Sequence, residues 1–336
     1  MRICLAVDIG SYYIKIVEGS IKKEKFYIRT AGITRNPFPN AHISLNENIQ
    51  KKFVGFLKDF LKKIGVKRRE TICSISGEEV IIHYFDIPDV PENEIKNIVD
   101  LELLQVVPGG LEKFEFDYTI LPAHTAGKKT VMLAGMTKAK CDFFVDTLVM
   151  AGLKPIIMDV GSIALANCFL SLNKQNQGNP TLLINAGAAN TSIAIPERNG
   201  FIFVREIDFG GNRINQELSK MKKISMAEAE QIKKNPVFKN EVENILQSLT
   251  EEALQEILTS LKYFEARTQK KVERFLLTGG SSLLPGFVKI IEKFLGIPGE
   301  IWTPISGLYE NCRTDEPECV QVCFSTVLGL AARKLI

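Results

Sequence analysis

Residues 5–17 read LAVDIGSYYIKIV, and residues 182–195 read LLINAGAANTSIAI. Each copy is an apolar run, a turn of small residues and a second apolar segment, and in each an Asp or Asn is followed by Gly two positions later. Apolar runs are typical of buried strands and alternating segments of half-buried strands, so each copy predicts a β-hairpin. Because self-similarity at half the chain length indicates a duplicated unit, the repeat predicts two lobes.

The turn glycines of the two copies, Gly10 and Gly187, suggest what the hairpins bind. Glycine lets another group approach the backbone closely, and successive N–H groups at such a turn form an anion-binding concavity. An isolated hairpin of this kind is usually structural, but two that face each other across a cleft would hold a polyphosphate from both sides. A further reverse turn and strand are predicted after each hairpin, within residues 18–28 and 196–204.

A third glycine-rich motif follows a predicted strand later in the chain. Residues 275–287 read FLLTGGSSLLPGF, an apolar strand and a double glycine that lead into a helix. That helix has apolar residues at helical spacing up to Phe294 and is followed by Gly296, a residue type that favours helix C-caps. A Gly-Gly turn before a helix suits close contact with a phosphate or a flat ring.

With two further motifs, FGGNRI at residues 209–214 and AEQIK at residues 229–233, the chain resembles the actin-like ATPase superfamily. The resemblance extends from Leu5 to Ala332 through five motifs in the superfamily's order. Within the superfamily, the chain is most similar to the PilM family of type IV pilus assembly proteins, relatives of the cell-division protein FtsA. The resemblance implies an α/β fold of two lobes, with duplicated β-sheet cores around a nucleotide cleft.

The resemblance also implies how the chain divides into domains. Residues 1–84 form the core of the first lobe, which residues 156–178 and 322–336 complete with the two helices that cross between the lobes. Residues 179–321 form the second lobe, with a subdomain at about 211–268.

Residues 85–155 predict a small α+β module inserted into the first lobe. Its expected order is a helix over 91–107, strands at 114–120 and 130–134, and a second helix over 138–151. Relatives in the superfamily have such an insertion where actin has a different subdomain.

The resemblance places a nucleotide site in the cleft and implies ATP and Mg²⁺ as its cofactors. Asp8 would hold the metal ion through water, because magnesium keeps most of its hydration shell. Lys15 would give positive charge to the phosphates; a surface lysine is the alternative. Glu230 and Lys233 would meet the ribose and adenine, and Gly280 would stack against the base. The expected cofactor-binding residues are Asp8, Gly10, Ser11, Tyr12, Tyr13, Lys15, Asn185, Gly187, Ala188, Asn190, Gly210, Gly211, Glu230, Lys233, Gly279, Gly280 and Ser281.

Two positions predict that ATP hydrolysis is slow or undetectable, and no catalytic residue is assigned. Asn185 stands where the superfamily usually has Asp, and an amide lacks the basicity with which a carboxylate accepts a proton. Gly161 stands where relatives often have an acidic residue. A purely structural role for Asn185 is the alternative.

Composition and motif searches exclude several other classes of protein. The net charge is +3, with lysines and arginines scattered in pairs, unlike the basic stripe of a nucleic-acid-binding protein. No apolar run approaches the roughly 18 residues of a membrane span, and no leader segment is recognised, so we expect a cytosolic protein.

Seven scattered cysteines indicate reduced thiols, and Cys312, Cys319 and Cys323 lack zinc-site spacing. Rossmann and P-loop motifs are absent from the sequence.

The implied function is that of an ATP-binding scaffold in the inner-membrane platform that assembles type IV pili. Pilus proteins that resemble this one bind the cytosolic N-terminal peptide of PilN in a groove between the first lobe and the inserted module. A small sheet with an exposed edge suits such docking; strands fully covered by the module's helices are the alternative. The partner would recruit the protein to the inner face of the membrane.

Other functions are weighed against this one. A sugar kinase or a fast ATPase would need an additional carboxylate base in the cleft, and none is obvious in the sequence. An FtsA-like filament protein would have a C-terminal amphipathic helix, and we expect none after residue 336. A related component of a type II secretion system would normally have a membrane span. Whether the protein associates with itself stays open.

Overall fold

The structure is a computed structural model that describes residues 2–22, 25–39, 45–77, 80–107, 110–122, 127–173, 179–197, 199–305, 312–314 and 317–333. Its strands are β1 (Arg2–Ile9), β2 (Tyr13–Lys22), β3 (Lys25–Arg35), β4 (Glu70–Ile75), β5 (Ile81–Pro88), β6 (Phe114–Leu121), β7 (Lys128–Thr137), β8 (Lys154–Val160), β9 (Thr181–Ala186), β10 (Thr191–Pro196), β11 (Ile202–Ile207), β12 (Arg274–Thr278), β13 (Gly299–Ile301) and β14 (Arg313–Thr314). Its α-helices are α1 (Glu47–Ile64), α2 (Glu92–Val106), α3 (Lys138–Met150), α4 (Gly161–Leu172), α5 (Gly211–Lys222), α6 (Met226–Lys234), α7 (Lys239–Leu249), α8 (Glu251–Thr268), α9 (Phe287–Leu295), α10 (Pro317–Cys323) and α11 (Ser325–Ala332). Short 3₁₀ helices lie at Leu111–Lys113, Pro236–Phe238 and Gly280–Leu283.

The predicted duplication is confirmed at the level of sheet topology. The sheet of the first lobe has the order β14-β3-β2-β1-β4-β8, and the sheet of the second lobe has the order β11-β10-β9-β12-β13. In the first, β1 pairs antiparallel with β2 and parallel with β4. In the second, β9 pairs antiparallel with β10 and parallel with β12. Both predicted hairpins are therefore at equivalent places in the two sheets.

Some predicted boundaries differ from those of the structure. β2 continues to Lys22 and β3 runs on to Arg35, so the strand predicted to end at residue 28 is longer. Of the parts expected to complete the first lobe, residues 174–178 and 334–336 lie outside the described residues. No helix in the described ranges is both long enough and apolar enough to cross a membrane.

The two lobes are joined by the helices α4 and α11, which pack on each other. α11 packs on β1, β2 and β4 of the first sheet, whereas α4 packs on β9, β10 and β11 of the second. Small residues let the helices approach closely, and a Cβ atom added to Gly329 would lie 1.7 Å from the carbonyl oxygen of Ala164. The sequence places both crossing helices correctly.

The inserted module contains a third strand, which was not predicted from the sequence. Its three-stranded sheet has the order β5-β7-β6, with β5 and β6 each antiparallel to β7. β5 starts at Ile81, four residues before the expected boundary at 85. The sequence of β5 does not alternate between apolar and polar residues, because both faces of the strand are covered. Ile81 and Phe85 pack with α2, and Tyr84 packs with the second lobe.

The module is attached to both lobes. The Tyr84 hydroxyl donates a hydrogen bond to the carbonyl of Ile202 (3.2 Å) and accepts one from the amide of Val204 (2.8 Å), both on β11 of the second lobe. On the other side, Phe144 and Leu148 of α3 belong to the core of the first lobe, with residues of α1 and β1. The helix predicted over 138–151 is therefore confirmed, and it packs on the first lobe as well as on the module's own strands.

The contact between α4 and α11 predicts opposite effects for the same substitution at two helical glycines. Gly329→Ala should lower the free energy of unfolding by about 1–3 kcal/mol, because the added methyl group overlaps the Ala164 backbone. Gly55→Ala on α1, where an added Cβ meets nothing within 4 Å, should raise it by about 0.5–1 kcal/mol. Denaturant unfolding measures both, and equal changes of the same sign would contradict the proposed packing.

Candidate functional site

A cleft of about 460 Å³ opens between the lobes and is lined by residues of both. Of the residues expected from the sequence, all except Gly210 and Gly211 line it. The charged side chains of the lining are four lysines and two carboxylates, which give the cleft a net positive charge suited to an anion; they are Lys15, Lys233, Lys234, Lys239, Asp8 and Glu230.

The two duplicated turns are closed by the same hydrogen bond. The amide of Gly10 donates to the carbonyl of Tyr13 (2.9 Å), and the amide of Gly187 donates to the carbonyl of Asn190 (3.0 Å). A Cβ atom would lie 3.0 Å from the Tyr13 oxygen in the first turn and 2.7 Å from the Asn190 oxygen in the second. Glycine is therefore needed for the tight closure of each turn.

This closure changes which amides of the second turn can meet a ligand. The N–H of Gly187 is used inside the turn, whereas the N–H groups of Ala188 and Ala189 donate to no backbone group among the described residues. Both alanines line the cleft. The N–H groups that remain available to a ligand are therefore those after the glycine, and the glycine lets the turn present them.

Gly210 and Gly211 lie behind the second turn instead of lining the cleft. The amides of Gly211 and Asn212, at the start of α5, donate to the carbonyls of Gly187 (3.0 Å) and Ala188 (2.8 Å). A Cβ atom on Gly210 would lie 2.4 Å from the Ala188 oxygen. These glycines let α5 brace the turn with its otherwise unpaired N-terminal N–H groups, and their contact with a nucleotide stays a prediction from the sequence.

Asp8 and Lys15 form an ion pair in the first lobe. They stand directly opposite each other in the β1–β2 ladder, and Lys15 Nζ lies 2.6 Å from Asp8 Oδ2. The other carboxylate oxygen of Asp8 accepts a hydrogen bond from Ser74 (3.0 Å). Lys15 is therefore a residue of the cleft and not a surface lysine, since its side chain is 13% exposed.

Asn185 makes a structural contact between the lobes. Its Nδ2 donates to Thr326 Oγ1 at 3.2 Å, near the start of α11. Packing favours glycine at position 161 as well, because a Cβ atom there would lie 2.0 Å from the Ser76 hydroxyl. Both residues thus have structural roles at positions where the sequence indicated a missing carboxylate.

The wall formed by α6 contains a buried carboxylate surrounded by donors. Glu230 is 4% exposed, and it accepts a hydrogen bond from Asn215 (2.7 Å) and pairs with Lys233 (2.5 Å) and Lys234 (3.5 Å). Burial raises the pKa of Glu230, but these partners outweigh it and lower the pKa overall. Burial also lowers the pKa of Lys233, and Glu230 opposes that shift. The group is therefore charged and fixed in position.

Tyr12 connects the walls of the cleft at its mouth. Its hydroxyl accepts a hydrogen bond from Lys234 (3.3 Å), and Lys234 and Arg35 each lie about 5 Å from its ring centroid. Burial and the nearby Glu230 raise the pKa of Tyr12, while Lys234 and Arg35 lower it. The first turn thereby touches α6 across the cleft.

The third motif contributes a backbone turn, and α10 beside it contributes two thiols. Gly279 has φ +88°, and a Cβ there would lie 2.4 Å from the carbonyl of Ala186, so this position requires glycine. Gly280 lies beside Tyr13 and Cys323 at ordinary contact distances. Cys319 also lines the cleft and accepts a hydrogen bond from the Tyr13 hydroxyl (3.2 Å).

Several residues of the lining were missed from the sequence. They are Ile9, Ser74, Ser76, Ala189, Ser192, Lys234, Asn235, Pro236, Lys239, Leu283, Leu284, Pro285, Cys319, Cys323 and Thr326. Ser74 and Ser76 could have been found, because β4 is parallel to β1 and the carboxyl ends of parallel strands meet at one edge. The α10 and α11 residues could not, since only the tertiary fold brings them to the cleft.

The residues on the floor of the cleft fit a hydrated Mg²⁺ ion. Asp8, Ser74, Asn185 and Thr326 offer carboxylate, hydroxyl and amide oxygens, which are the hard donors that Mg²⁺ prefers. In the part of the chain that the structure describes, no three His, Cys, Asp or Glu residues are grouped closely enough to hold a metal ion by themselves. An ion held partly by water and phosphate suits this arrangement.

Comparisons with known proteins agree with this geometry. The family described as type IV pilus assembly protein PilM matches residues 6–335 of the chain. A solved structure of a PilM-PilN type IV pilus biogenesis complex is similar, at 20% identity, with a TM-score of 0.83, over 99% of this chain and 98% of that chain.

Two more distant structures share the architecture. The ethanolamine utilization protein EutJ from Carboxydothermus hydrogenoformans has 15% identity and a TM-score of 0.59, over 99% of this chain and 90% of that one. MreB 5 of Spiroplasma citri bound to AMPPNP has 11% identity and a TM-score of 0.53, over 98% and 95%. The expected actin-like ATPase fold is thereby confirmed.

Proposed function

The chain belongs to the family of type IV pilus assembly protein PilM, and from this membership we propose that it is a nucleotide-binding scaffold of the pilus assembly platform. The cleft, with its two identically closed turns and surplus of lysines, is the observation that supports nucleotide binding. A PilN-like membrane partner would recruit the protein to the inner face of the inner membrane.

The proposed ligand is ATP with Mg²⁺. The phosphates would lie between the first turn and the N–H groups of Ala188 and Ala189, where successive amides form an anion site. Lys15 would exchange its contact with Asp8 for one with phosphate, which leaves the Asp8 carboxylate to hold the water shell of the ion. The ion, when bound, would neutralise phosphate charge.

The nucleoside would lie between α6 and the third motif. Glu230 and Lys233 face the cleft as a fixed, buried ion pair, suited to the hydroxyl and amine groups of a ribose and an adenine. Leu284 and Pro285 offer an apolar surface on the opposite wall, next to the turn at Gly280.

ATP binding is tested most directly at Lys15. Lys15→Ala should weaken ATP binding about ten- to hundredfold, because a charge-assisted contact is lost. Lys96→Ala is the matched control, since that lysine is 74% exposed on α2. Gly187→Glu should abolish binding, because its side chain overlaps the Asn190 carbonyl and adds negative charge. Calorimetry measures all four proteins, and a wild type without ATP binding would overturn the proposal.

We further propose that hydrolysis is slower than about one turnover per second. Near the two turns, Asp8 is the one carboxylate among the residues that line the cleft, and in the proposed complex it would hold the water shell of the ion. The amide of Asn185 offers no basicity.

Asn185→Asp should therefore raise the hydrolysis rate, by up to about two decades. The new carboxylate has the same shape and can accept a hydrogen bond from the Thr326 hydroxyl. Asn185→Ala loses that contact without gaining a base and serves as the control. Phosphate release measures the rates. Fast turnover by the wild type, or no gain in the Asp variant, would argue against the proposal.

The inserted module is the proposed docking surface for the cytosolic N-terminal peptide of PilN. β6 pairs only with β7 among the described strands, so it leaves an edge for strand addition. α2 covers one face of the sheet and the second lobe part of the other, which leaves the edge and not a face for the peptide. Exposed apolar side chains lie on the module's elements, namely Leu101, Leu104, Ile120, Val149 and Met150.

Replacing residues 85–155 by a linker would not test this surface specifically, because it would also remove Phe144 and Leu148 from the core of the first lobe and destabilise that lobe. Point variants are sharper. Ile120→Glu on β6 should reduce PilN-peptide binding about tenfold or more, because a charge replaces an exposed apolar side chain of the edge strand.

Met221→Glu on α5 of the second lobe, where the side chain is 57% exposed, should leave peptide binding unchanged. A pull-down followed by titration with labelled peptide compares the proteins. Equal capture by the Ile120→Glu variant and this control would place the docking surface elsewhere.

A further inference from the structure

The end of the first lobe that lies away from the cleft carries a dense group of exposed cations. The apolar face of α1 packs on the first sheet, which leaves its lysines exposed, and the segment KRR at residues 67–69 that follows is exposed as well. β4 and β8 begin at this end, with Glu70 and Lys154. Ser74, near the other end of β4, lines the cleft, so a partner bound to these cations would not meet the nucleotide site.

Hydrogen bonds bring cations from both edges of the sheet to this segment. β14 and β8 are the edge strands. Arg313 of β14 donates a hydrogen bond to the carbonyl of Lys63, near the end of α1 (2.6 Å). At the opposite edge, the amide of Lys154 donates to the carbonyl of Arg69 (2.7 Å). The segment that joins α1 to β4 therefore crosses the sheet from one edge to the other.

Between the two edges, the segment covers a buried carboxylate. The amide of Lys67 donates to Glu18 Oε2 on β2 (2.9 Å), and Arg29 of β3 pairs with Glu18 Oε1 (3.2 Å). The side chain of Glu18 is fully buried, whereas that of Arg29 is 44% exposed. The negative charge is therefore turned inward and the positive charge outward.

The cations together form a basic ridge. Its members, all exposed, are Arg29, Lys58, Lys62, Lys63, Lys67, Arg68, Arg69, Lys154 and Arg313. The acidic residues on the same stretches of the described chain are Glu18, Asp59, Glu70 and Asp146. Nine basic and four acidic residues give the ridge a net charge of +5, whereas the whole chain has +3. Such a concentration of one sign attracts an anionic partner.

Exposed apolar side chains adjoin the ridge at the end of α3. Val149 and Met150 are the last residues of this helix and are 53% and 42% exposed. Gly152 follows them, and a Cβ atom there would lie 3.5 Å from Arg69 Nη1. The apolar pair is therefore within a helical turn of a residue that touches the ridge.

β8 shows the same combination of charge and apolar surface. Ile156 is 43% exposed, and it lies two residues after Lys154, so the alternation of a strand places both on one side of β8. A surface that pairs cations with exposed apolar side chains is typical of proteins that lie on a bilayer, where headgroups meet acyl chains. This pattern favours a lipid surface over other polyanions.

We propose that the basic ridge binds the surface of an anionic phospholipid bilayer, with Val149, Met150 and Ile156 at the boundary between headgroups and acyl chains. The choice of a bilayer rests on the proposed place of the protein at the inner membrane. Each lysine or arginine near such a surface strengthens binding about fivefold, within about one Debye length. The cleft would face away from the membrane, and the ridge would add a second attachment to that made by a PilN-like partner.

Flotation of the full chain with vesicles that contain no protein tests the ridge directly. The wild type should bind vesicles of phosphatidylcholine with about one-third phosphatidylglycerol, and not vesicles of phosphatidylcholine alone. Binding should weaken at least about tenfold between about 0.1 M and about 0.5 M salt, because the Debye length shortens. No flotation with the anionic vesicles at low salt would overturn the proposal.

Lys67→Gln, Arg68→Gln and Arg69→Gln together should weaken vesicle binding about thirty- to hundredfold, because three cations are removed from the ridge. Their side chains are exposed, so the Tm should stay close to that of the wild type. Equal vesicle binding by this triple variant and the wild type would overturn the assignment of the ridge.

A control with the same loss of charge separates the ridge from net charge. Lys220→Gln, Lys262→Gln and Lys271→Gln together remove three exposed cations of the second lobe, and this protein should bind vesicles as the wild type does. Equal weakening by the two triple variants would overturn the ridge in favour of a general effect of net charge.

The apolar side chains distinguish a bilayer from nucleic acid as the partner. Val149→Ser combined with Met150→Ser should weaken vesicle binding about three- to tenfold, with the same dependence on salt, because apolar burial is lost and charge is not. Double-stranded DNA should bind more weakly than anionic vesicles. DNA binding that is tighter than vesicle binding and is lost in the variant of residues 67–69, or no effect of the serine changes, would overturn the bilayer as partner.

The outcome is independent of the proposed function in one respect. The substituted residues lie neither in the lining of the cleft nor on β6, so ATP and PilN-peptide binding should stay as in the wild type. A wild type that does not bind the PilN peptide would overturn the proposed scaffold, whereas a wild type that binds peptide but no anionic vesicles would overturn the ridge alone.

Discussion

The close contact of α4 with α11 is the constraint on which the rest of the structure depends. Each helix covers one of the two duplicated sheets, and the backbones meet at Gly329 and Ala164 with no room for a side chain. This contact turns the carboxyl ends of β1 and β9 toward the same space. Two ordinary hairpins thereby become the opposing walls of one cleft.

Within that frame, hydrogen bonds to carbonyl oxygens fix the turns, and charges remain available to a ligand. The second turn is held from behind by the first amides of α5 and by the Ser281 hydroxyl. Lys15 is held by its ion pair with Asp8. Hydrogen bonds therefore fix the backbone of the site, whereas Lys15 would change partners in the proposed complex with a polyphosphate.

The sequence was sufficient for the parts of the site that rest on local patterns. The repeat around Gly10 and Gly187 predicted both hairpins, since a tight turn needs glycine wherever it occurs. It could not reveal that Gly210 supports the turn from behind, because that role depends on the approach of α5.

The attachment of the inserted module has a mechanical consequence. Tyr84 fixes its sheet to β11 of the second lobe, while α3 is buried in the core of the first. β7 ends at Thr137 and α3 begins at Lys138, so no loop separates the sheet attached to the second lobe from the helix packed in the first. Because the module is fastened to both lobes, a rotation of one lobe against the other would have to deform the module or break one of its two attachments.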